Sequence, residues 1–140
     1  MVRKIVIGVF IFVPVLILVA GGVFYARLGQ MGRALKVEYE RIAPVDLEGI
    51  GNGTYKGSFG VFLVHVDLEV TVSEGRITGI DVIEQISGPG YEALETVDRI
   101  IEAQSPKVDA ITEATGSSIC IMAATHNALI AQKESTVAQH

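Results

Sequence analysis

The stretch VFLVHVDLEVTVSEGRITGIDVIE, residues 61–84, carries the pattern that decides the fold. Apolar and polar residues alternate from Val61 to Val72, as they do in a half-buried strand with one solvated face. Ser73-Glu-Gly75 is a typical hairpin turn, and the apolar residues of Arg76–Glu84 indicate a returning strand. We therefore expect a twisted antiparallel sheet.

The segments on either side of this hairpin predict the rest of the domain. Upstream, Gly53–Gly57 starts the β part, because Thr54 and Tyr55 favour strands. Downstream, helical periodicity predicts one helix over Glu92–Ala103 and another over Ile119–Gln132. The last helix is apolar on most sides, so we expect it to be buried against the sheet. These elements give an α+β fold, a small antiparallel sheet packed with two helices.

The N-terminal segment Ile5–Tyr25 contains no charged residue. A helix rises about 1.5 Å per residue, so this segment can cross a hydrocarbon core of about 30 Å. Arg3 and Lys4 precede it, which makes a secretory signal peptide the competing interpretation. The apolar run is longer than the hydrophobic part of a signal peptide, about 7–15 residues. We therefore favour an uncleaved single transmembrane helix.

A second helix is predicted after the span, because apolar residues recur there at helical spacing up to Pro44. Those residues are Met31, Leu35, Tyr39 and Ile42. We expect this juxtamembrane helix to be a stalk, with a partner-binding helix as the alternative. The basic residues that follow the span are Arg27, Arg33, Lys36 and Arg41. By the positive-inside rule, this count does not favour a C-terminal domain outside the cytoplasm.

The candidate functional site is the stretch Asp109–Ser118. Thr115 lies in a turn of small residues, Ala114-Thr115-Gly116, and two serines follow it as N-cap candidates for a helix that begins near Ile119. A helix N-terminus offers unpaired N–H groups and a positive dipole end, which suit a phosphate. A hydroxyl in this turn could therefore carry a phosphoester. The alternative is an ordinary capping turn.

The motif Asp109-x-x-Thr112-x-Ala114-Thr115 resembles the Asp-x-x-(Ser/Thr)-Gly-Ala-Thr motif of FMN-binding domains. Such domains occur in the flavin subunits of the Rnf and Na⁺-translocating NADH:quinone oxidoreductase complexes. In that family the last Thr bonds FMN through a phosphodiester, which a Mg²⁺-dependent FAD:protein FMN transferase installs. The matching residue here is Thr115. The resemblance covers most of the chain from Gly51 to about Gln132, with Glu113 where the family usually has Gly.

The resemblance implies a membrane-anchored, extracytoplasmic electron carrier with covalent FMN and a membrane or extracytoplasmic redox partner. It implies a cofactor site formed by Asp109, Thr112, Ala114, Thr115, Gly116, Ser117 and Ser118. The division it predicts is an anchor at 1–26, a juxtamembrane helix and linker at 27–50, an FMN-binding domain at 51–132 and a tail at 133–140. A flavin-dependent reductase of a small acceptor and a flavin-free interaction module are the alternatives.

Other functions have little support in the sequence. The formal charge is −5 and no basic stripe is present, which argues against nucleic acid as a partner. His65, His126 and His140 have no ligand spacing, and Cys120 is the single cysteine, so we predict no metal site. No catalytic triad or nucleophile elbow is visible, so no catalytic residue is assigned. Tyr91 follows a Gly-Pro-Gly loop, where it could stack on a flavin or simply end a turn.

Overall fold

The structure is a computed structural model that describes residues 1–88 and 91–137. The elements in chain order are α1 (Val2–Arg41), β1 (Gly53–Val61), β2 (Val64–Ser73), β3 (Arg76–Ile86), α2 (Glu95–Ala103) and α3 (Thr115–Val137). The three strands form one antiparallel sheet in the order β1-β2-β3. The predicted fold class is confirmed: an apolar N-terminal helix precedes a small antiparallel sheet with two further helices.

The β1–β2 hairpin corrects the prediction of one strand from Val61 to Val72. Val61 pairs with Val64, so Phe62 and Leu63 form a two-residue turn between two strands. Neither residue is a common turn former. Phe62 is apolar, like the even-numbered residues of β2. The alternation therefore continues through the turn and gives no sign of it.

The core lies between one face of the sheet and α3. The inward residues of β2 are almost fully buried, as the alternation predicted: Val66, Leu68, Val70 and Val72. The helix α3 buries Ile121, Met122 and Leu129 completely against them. In β1, Gly57 leaves room for the α3 backbone to pass at Ala124 and Ala128.

The helix α1 continues without a break from the apolar segment into the folded domain. Its last turns and the residue that follows them belong to the core, with Leu35 8% exposed and Ile42 1% exposed. The Tyr39 hydroxyl donates a hydrogen bond to the carbonyl oxygen of Val108 (3.4 Å). The prediction of a stalk that holds the domain away from the membrane is therefore wrong: this part of the helix packs into the domain.

The N-terminal part of α1 is long and apolar enough to cross a membrane, by length and composition, and its apolar part is not buried in the fold. A signal sequence near the N-terminus passes the same test. The exposed large side chains of this part include Phe10, Phe12, Leu16, Leu18 and Tyr25. This run of apolar residues is therefore not part of the core of this fold.

The helix boundaries differ from the predicted ones. The helix α2 begins at Glu95 rather than Glu92, because Ala93 holds a positive φ of 55° that interrupts a helix. The helix α3 continues through Val137, so Lys133–Val137 are helical rather than a frayed tail. Residues 138–140 of the predicted tail, with His140, and residues 89 and 90 of the Gly-Pro-Gly loop lie outside the described residues.

Candidate functional site

The motif is built on a tight turn, Ile111–Ala114, that leads directly into α3. The Ala114 N–H donates to the carbonyl oxygen of Ile111 (3.2 Å). Glu113, the third residue of the turn, holds φ = 72°, whereas Thr112 does not have a positive φ. A positive φ at the third position is the mark of a type II turn, where Gly is usual. The backbone thus adopts the conformation that Gly favours, although the residue is Glu.

We expect Glu113→Gly to raise the free energy of unfolding by about 0.5–1 kcal/mol. The left-handed conformation costs a non-Gly residue about 1–2 kcal/mol, and the larger chain entropy of Gly in the unfolded state offsets part of this gain. Urea unfolding of the full chain in detergent, followed by circular dichroism, measures the change. Glu113→Ala is the matched control, because it removes the carboxylate but keeps the Cβ, and its stability should stay near that of the wild type. Equal stability of both variants would contradict backbone strain at this position.

Ser118 holds the turn to the helix. Its buried hydroxyl donates to the Ala114 carbonyl oxygen (2.9 Å) and accepts from the Ile111 N–H (3.0 Å). The predicted N-cap role of Ser117 and Ser118 is wrong, because α3 begins at Thr115 and both serines lie in its first turn. The tight turn ends at Ala114 and the helix begins at the next residue, so neither serine can occupy the N-cap position.

Thr115 is exposed at the N-terminal end of α3. Its hydroxyl makes a long hydrogen bond to the Ile111 carbonyl oxygen (3.4 Å), which leaves its oxygen open to solvent. The N–H groups of Thr115, Gly116 and Ser117 precede the first intrahelical hydrogen bonds of α3, as the first amides of any helix do. A phosphate on Thr115 would therefore lie at the positive end of a long, buried helix.

An apolar cleft of about 250 Å³ opens beside this turn. One side is formed by Glu113, Ala114, Gly116 and Ser117, the residues that flank Thr115 in the chain. The facing walls are formed by Leu28 and Met31 of α1, Leu63 and Val64 of the hairpin, and Gly88 with Tyr91. The Thr115 side chain is not part of the lining, so a group bonded to its hydroxyl would have to fold back into the cleft.

The first two residues of the motif lie outside the apolar cleft. Thr112 and Asp109 are both exposed, and Asp109 borders a more open cleft of about 840 Å³ on another side of the turn. Arg99 donates to the Asp109 carbonyl oxygen (3.2 Å) while it forms an ion pair with Glu95 (2.8 Å). Lys107 lies over the Tyr39 ring, 4.7 Å from its centroid. The structure thus brings together positions 113–118, and it places the Asp109 carboxylate on a polar surface.

The remaining candidates have structural roles. Cys120 is fully buried, and burial raises the pKa of its thiol to about 12, so it is a small core residue, as predicted. His126 is also buried, and its Nε2 accepts from the Ala43 N–H (3.4 Å). Desolvation lowers the pKa of His126 below 6.5, and the Glu38 carboxylate opposes part of this change. Among residues 1–88 and 91–137, no group of three or more His, Cys, Asp or Glu could hold a metal ion.

The fold and the turn define a small α+β domain with an exposed hydroxyl at the start of a buried helix, beside an apolar cleft. Residues 64–130 match the family model of the FMN-binding domain. This match confirms the resemblance carried by the Asp109–Thr115 motif and places this part of the chain in the FMN-binding domain family. The match supports a flavin-binding protein with FMN as its cofactor.

The chain is similar to other known proteins. An uncharacterized protein of Treponema pallidum (strain Nichols) is 29% identical over 108 residues, which make up 75% of this chain and 29% of that protein. The chain thus spans less than a third of that relative's length. The crystal structure of CPE2226 protein from Clostridium perfringens has a TM-score of 0.50 at 20% identity, covering 61% of this chain and 91% of that one. This second likeness bears on the fold alone.

Sequence reasoning missed two parts of the candidate site. The α1 wall, Leu28 and Met31, was missed because both residues fall in the predicted segment 27–50, which was not connected with the site. Helical spacing from Met31 onward did signal a packed face. The hairpin wall, Leu63 and Val64, was missed with the turn itself. The sequence did identify Tyr91 as a candidate, and the structure places it at the cleft, half-exposed.

Proposed function

We propose that this chain is a membrane-anchored electron carrier whose FMN is attached to Thr115 by a phosphodiester. The observation that carries the proposal is the exposed Thr115 hydroxyl at the N-terminal end of α3, inside the segment that matches the FMN-binding domain. The positive φ of Glu113 adds support, because the turn keeps the backbone shape that Gly would give it.

Attachment uses the Thr115 hydroxyl as a nucleophile toward FAD, bound to the FAD:protein FMN transferase. The Thr115 oxygen bonds to the phosphorus on the FMN side, and the bond from that phosphorus to the AMP oxygen breaks. AMP leaves, and the hydroxyl proton passes to a base of the transferase. The first-turn amides of Gly116 and Ser117 favour the resulting negative charge. The exposed Asp109 and Thr112 are available for contact with the transferase.

The chain's own contribution to electron transfer is orientation and environment. FMN, when bound, supplies a ring system that takes up one or two electrons. Ala114 and Gly116 offer little bulk beside Thr115, so a group attached there can approach the backbone. The apolar walls of the cleft exclude water from one side of that group, and Tyr91 offers an aromatic face at its edge.

The location that we propose starts from α1. Its apolar part is long enough to cross a bilayer and lies outside the fold, which supports a single-pass anchor. We place the soluble domain outside the cytoplasm, where a covalent bond prevents loss of the cofactor. Its redox partner is then a membrane or extracytoplasmic carrier. Protease treatment of intact cells tests on which side of the membrane the domain lies. Digestion of the domain is expected, and full protection would place it in the cytoplasm.

The test of attachment is co-expression of the full chain with a flavin transferase, followed by a denaturing gel viewed for flavin fluorescence. The wild type should be fluorescent, and Thr115→Ala should lose all of the signal because the bonding oxygen is gone. Thr78→Ala is the matched control, since it removes an exposed threonine hydroxyl from β3, outside the motif, and it should keep its label. Circular dichroism of each variant verifies the fold.

Other outcomes identify the alternative functions. A folded wild type without label would contradict the proposal and favour a flavin-free interaction module. Label that persists in Thr115→Ala would place the bond elsewhere. Turnover of a soluble acceptor by labelled protein without any membrane partner would favour a reductase. A reductase of a small anionic acceptor would need a convergent cluster of Arg and His side chains. The geometry gives this little support, since Arg99 forms an ion pair with Glu95 and the His126 ring accepts a hydrogen bond from the Ala43 N–H.

A further inference from the structure

The tip of the β1–β2 hairpin has a composition that the fold does not require. Phe62 and Leu63 fill the two-residue turn, and they are 53% and 47% exposed. Tight hairpin turns favour Gly, Asn and Asp, because these residues accept a positive φ. Phe62 holds a φ of 39°, which is strained for a bulky side chain. Two large apolar side chains are therefore presented to the surroundings at a conformational cost that Asn-Gly would avoid.

This tip lies against the end of the apolar part of α1. The rings of Phe24 and Phe62 are in contact, with centroids 6.0 Å apart and planes at 57°. Residues 5–26 are uncharged, and Arg27 is the next charged residue. At about 1.5 Å per residue this segment is about 33 Å long, close to the hydrocarbon thickness of about 30 Å. If α1 spans the bilayer, Phe24 lies at the hydrocarbon boundary, and Phe62 lies at the same depth.

We infer that the hairpin tip, Phe62 and Leu63, contacts the bilayer and enters the boundary between the lipid headgroups and the acyl chains. The inference rests on the anchor in the proposed function. The lipid surface is favoured as the occupant because the tip continues the exposed apolar surface of the span at Phe24 and Tyr25. Phe and Leu side chains are typical of the apolar surfaces that proteins bury at the boundary between headgroups and acyl chains.

The neighbours of the tip extend the same apolar surface. Ile86, 53% exposed, shares a groove with Phe62 and Leu63 on one side of the hairpin. On the other side, Leu63 shares the apolar cleft with Leu28 and Tyr91. Because Leu28 lies one helical turn beyond Phe24, the cleft opens about 6 Å above the hydrocarbon boundary. A flavin in this cleft would therefore meet partners at the membrane surface, such as a lipid-soluble carrier, rather than partners far out in solution.

The experiment places a single tryptophan at the tip, which is possible because the chain has none. The flavin-free full chain carrying Phe62→Trp is reconstituted into phosphatidylcholine vesicles that contain lipids with a nitroxide on the upper acyl chain. The control is Arg76→Trp at the start of β3, an exposed position at the opposite end of the sheet. With about 3.3 Å per residue along β2, the control lies about 30 Å from the tip.

Several-fold stronger quenching and a blue-shifted emission are expected for Phe62→Trp relative to Arg76→Trp. Leu63→Trp provides a second reporter in case the first substitution alters the turn, and it should behave like Phe62→Trp. Equal quenching of the tip reporters and the control would overturn the inference. A tip that is covered by a protein rather than by lipid would give this same result. Release of the chain from vesicles by alkaline carbonate would also overturn it. Neither result depends on FMN, so a failure here is distinct from a failure of attachment at Thr115.

Discussion

Gly57→Ala is expected to lower the free energy of unfolding by about 3 kcal/mol or more. A Cβ at this position would overlap the carbonyl oxygen of Ala124 and lie 2.8 Å from the Cβ and 2.9 Å from the N atom of Ala128. Two of these three atoms belong to the backbone of α3, so no side-chain rotation can relieve the overlap. The helix would have to move away from the sheet. Ordinary overpacking costs about 1–3 kcal/mol, and an overlap with backbone atoms belongs at or above the upper end of that range.

The matched control for this prediction is Gly79→Ala. Gly79 also lies inside a strand, but the nearest atom to an added Cβ there is the Cβ of Thr71 at 4.0 Å. Because this position has room, we expect the change in stability to be within about 0.5 kcal/mol, in either direction. Urea unfolding of both full-length variants in detergent, followed by circular dichroism, provides the comparison. Equal stability of Gly57→Ala and Gly79→Ala would show that the close approach of α3 to β1 is wrong.

Ser118→Ala is expected to lower the free energy of unfolding by about 1–3 kcal/mol and to reduce flavin attachment. The hydroxyl is buried and connects the Ile111 N–H to the Ala114 carbonyl oxygen. Its removal leaves the partly buried N–H without its acceptor, and an unsatisfied buried group costs about this amount. The turn that presents Thr115 would then be free to change shape, so the transferase would meet its acceptor hydroxyl in the right place less often.

Ser117→Ala separates this bridging role from burial of a small polar side chain. Ser117 is 3% exposed, and its hydroxyl makes none of the hydrogen bonds found among residues 1–88 and 91–137. We therefore expect its stability to stay close to that of the wild type. The two variants are compared by urea unfolding and by in-gel flavin fluorescence after co-expression with the transferase. Full labelling of a destabilised Ser118→Ala protein would argue that the turn keeps its shape without the hydroxyl.

Local pattern was sufficient to predict the sheet and the buried helix. The alternation from Val66 to Val72 identified the inward face of β2, and each of its apolar residues is almost fully buried. The motif Asp109–Thr115 identified the family that matches residues 64–130. In both cases the signal lies within a few consecutive residues, so one segment is enough to read it.

The features that the sequence did not reveal depend on contacts between distant segments. The Phe62–Leu63 turn was hidden by an alternation that continues through it. The packing of α1 was underestimated because the pattern Met31–Ile42 indicates an apolar face but not the surface that it meets. The role of Ser118 depends on a hydrogen bond to Ile111, seven residues earlier, across a turn whose shape the sequence did not specify.

The uninterrupted course of α1 determines where an independently folding piece of this protein can start. The predicted domain boundary at residue 51 would remove Leu35 and Ile42 from the core and Leu28 and Met31 from the wall of the cleft. A shortened soluble chain should therefore start near Arg27, so that it retains the second half of the helix. With the proposed anchor, the same continuity means that a tilt of α1 would move one wall of the cleft with it.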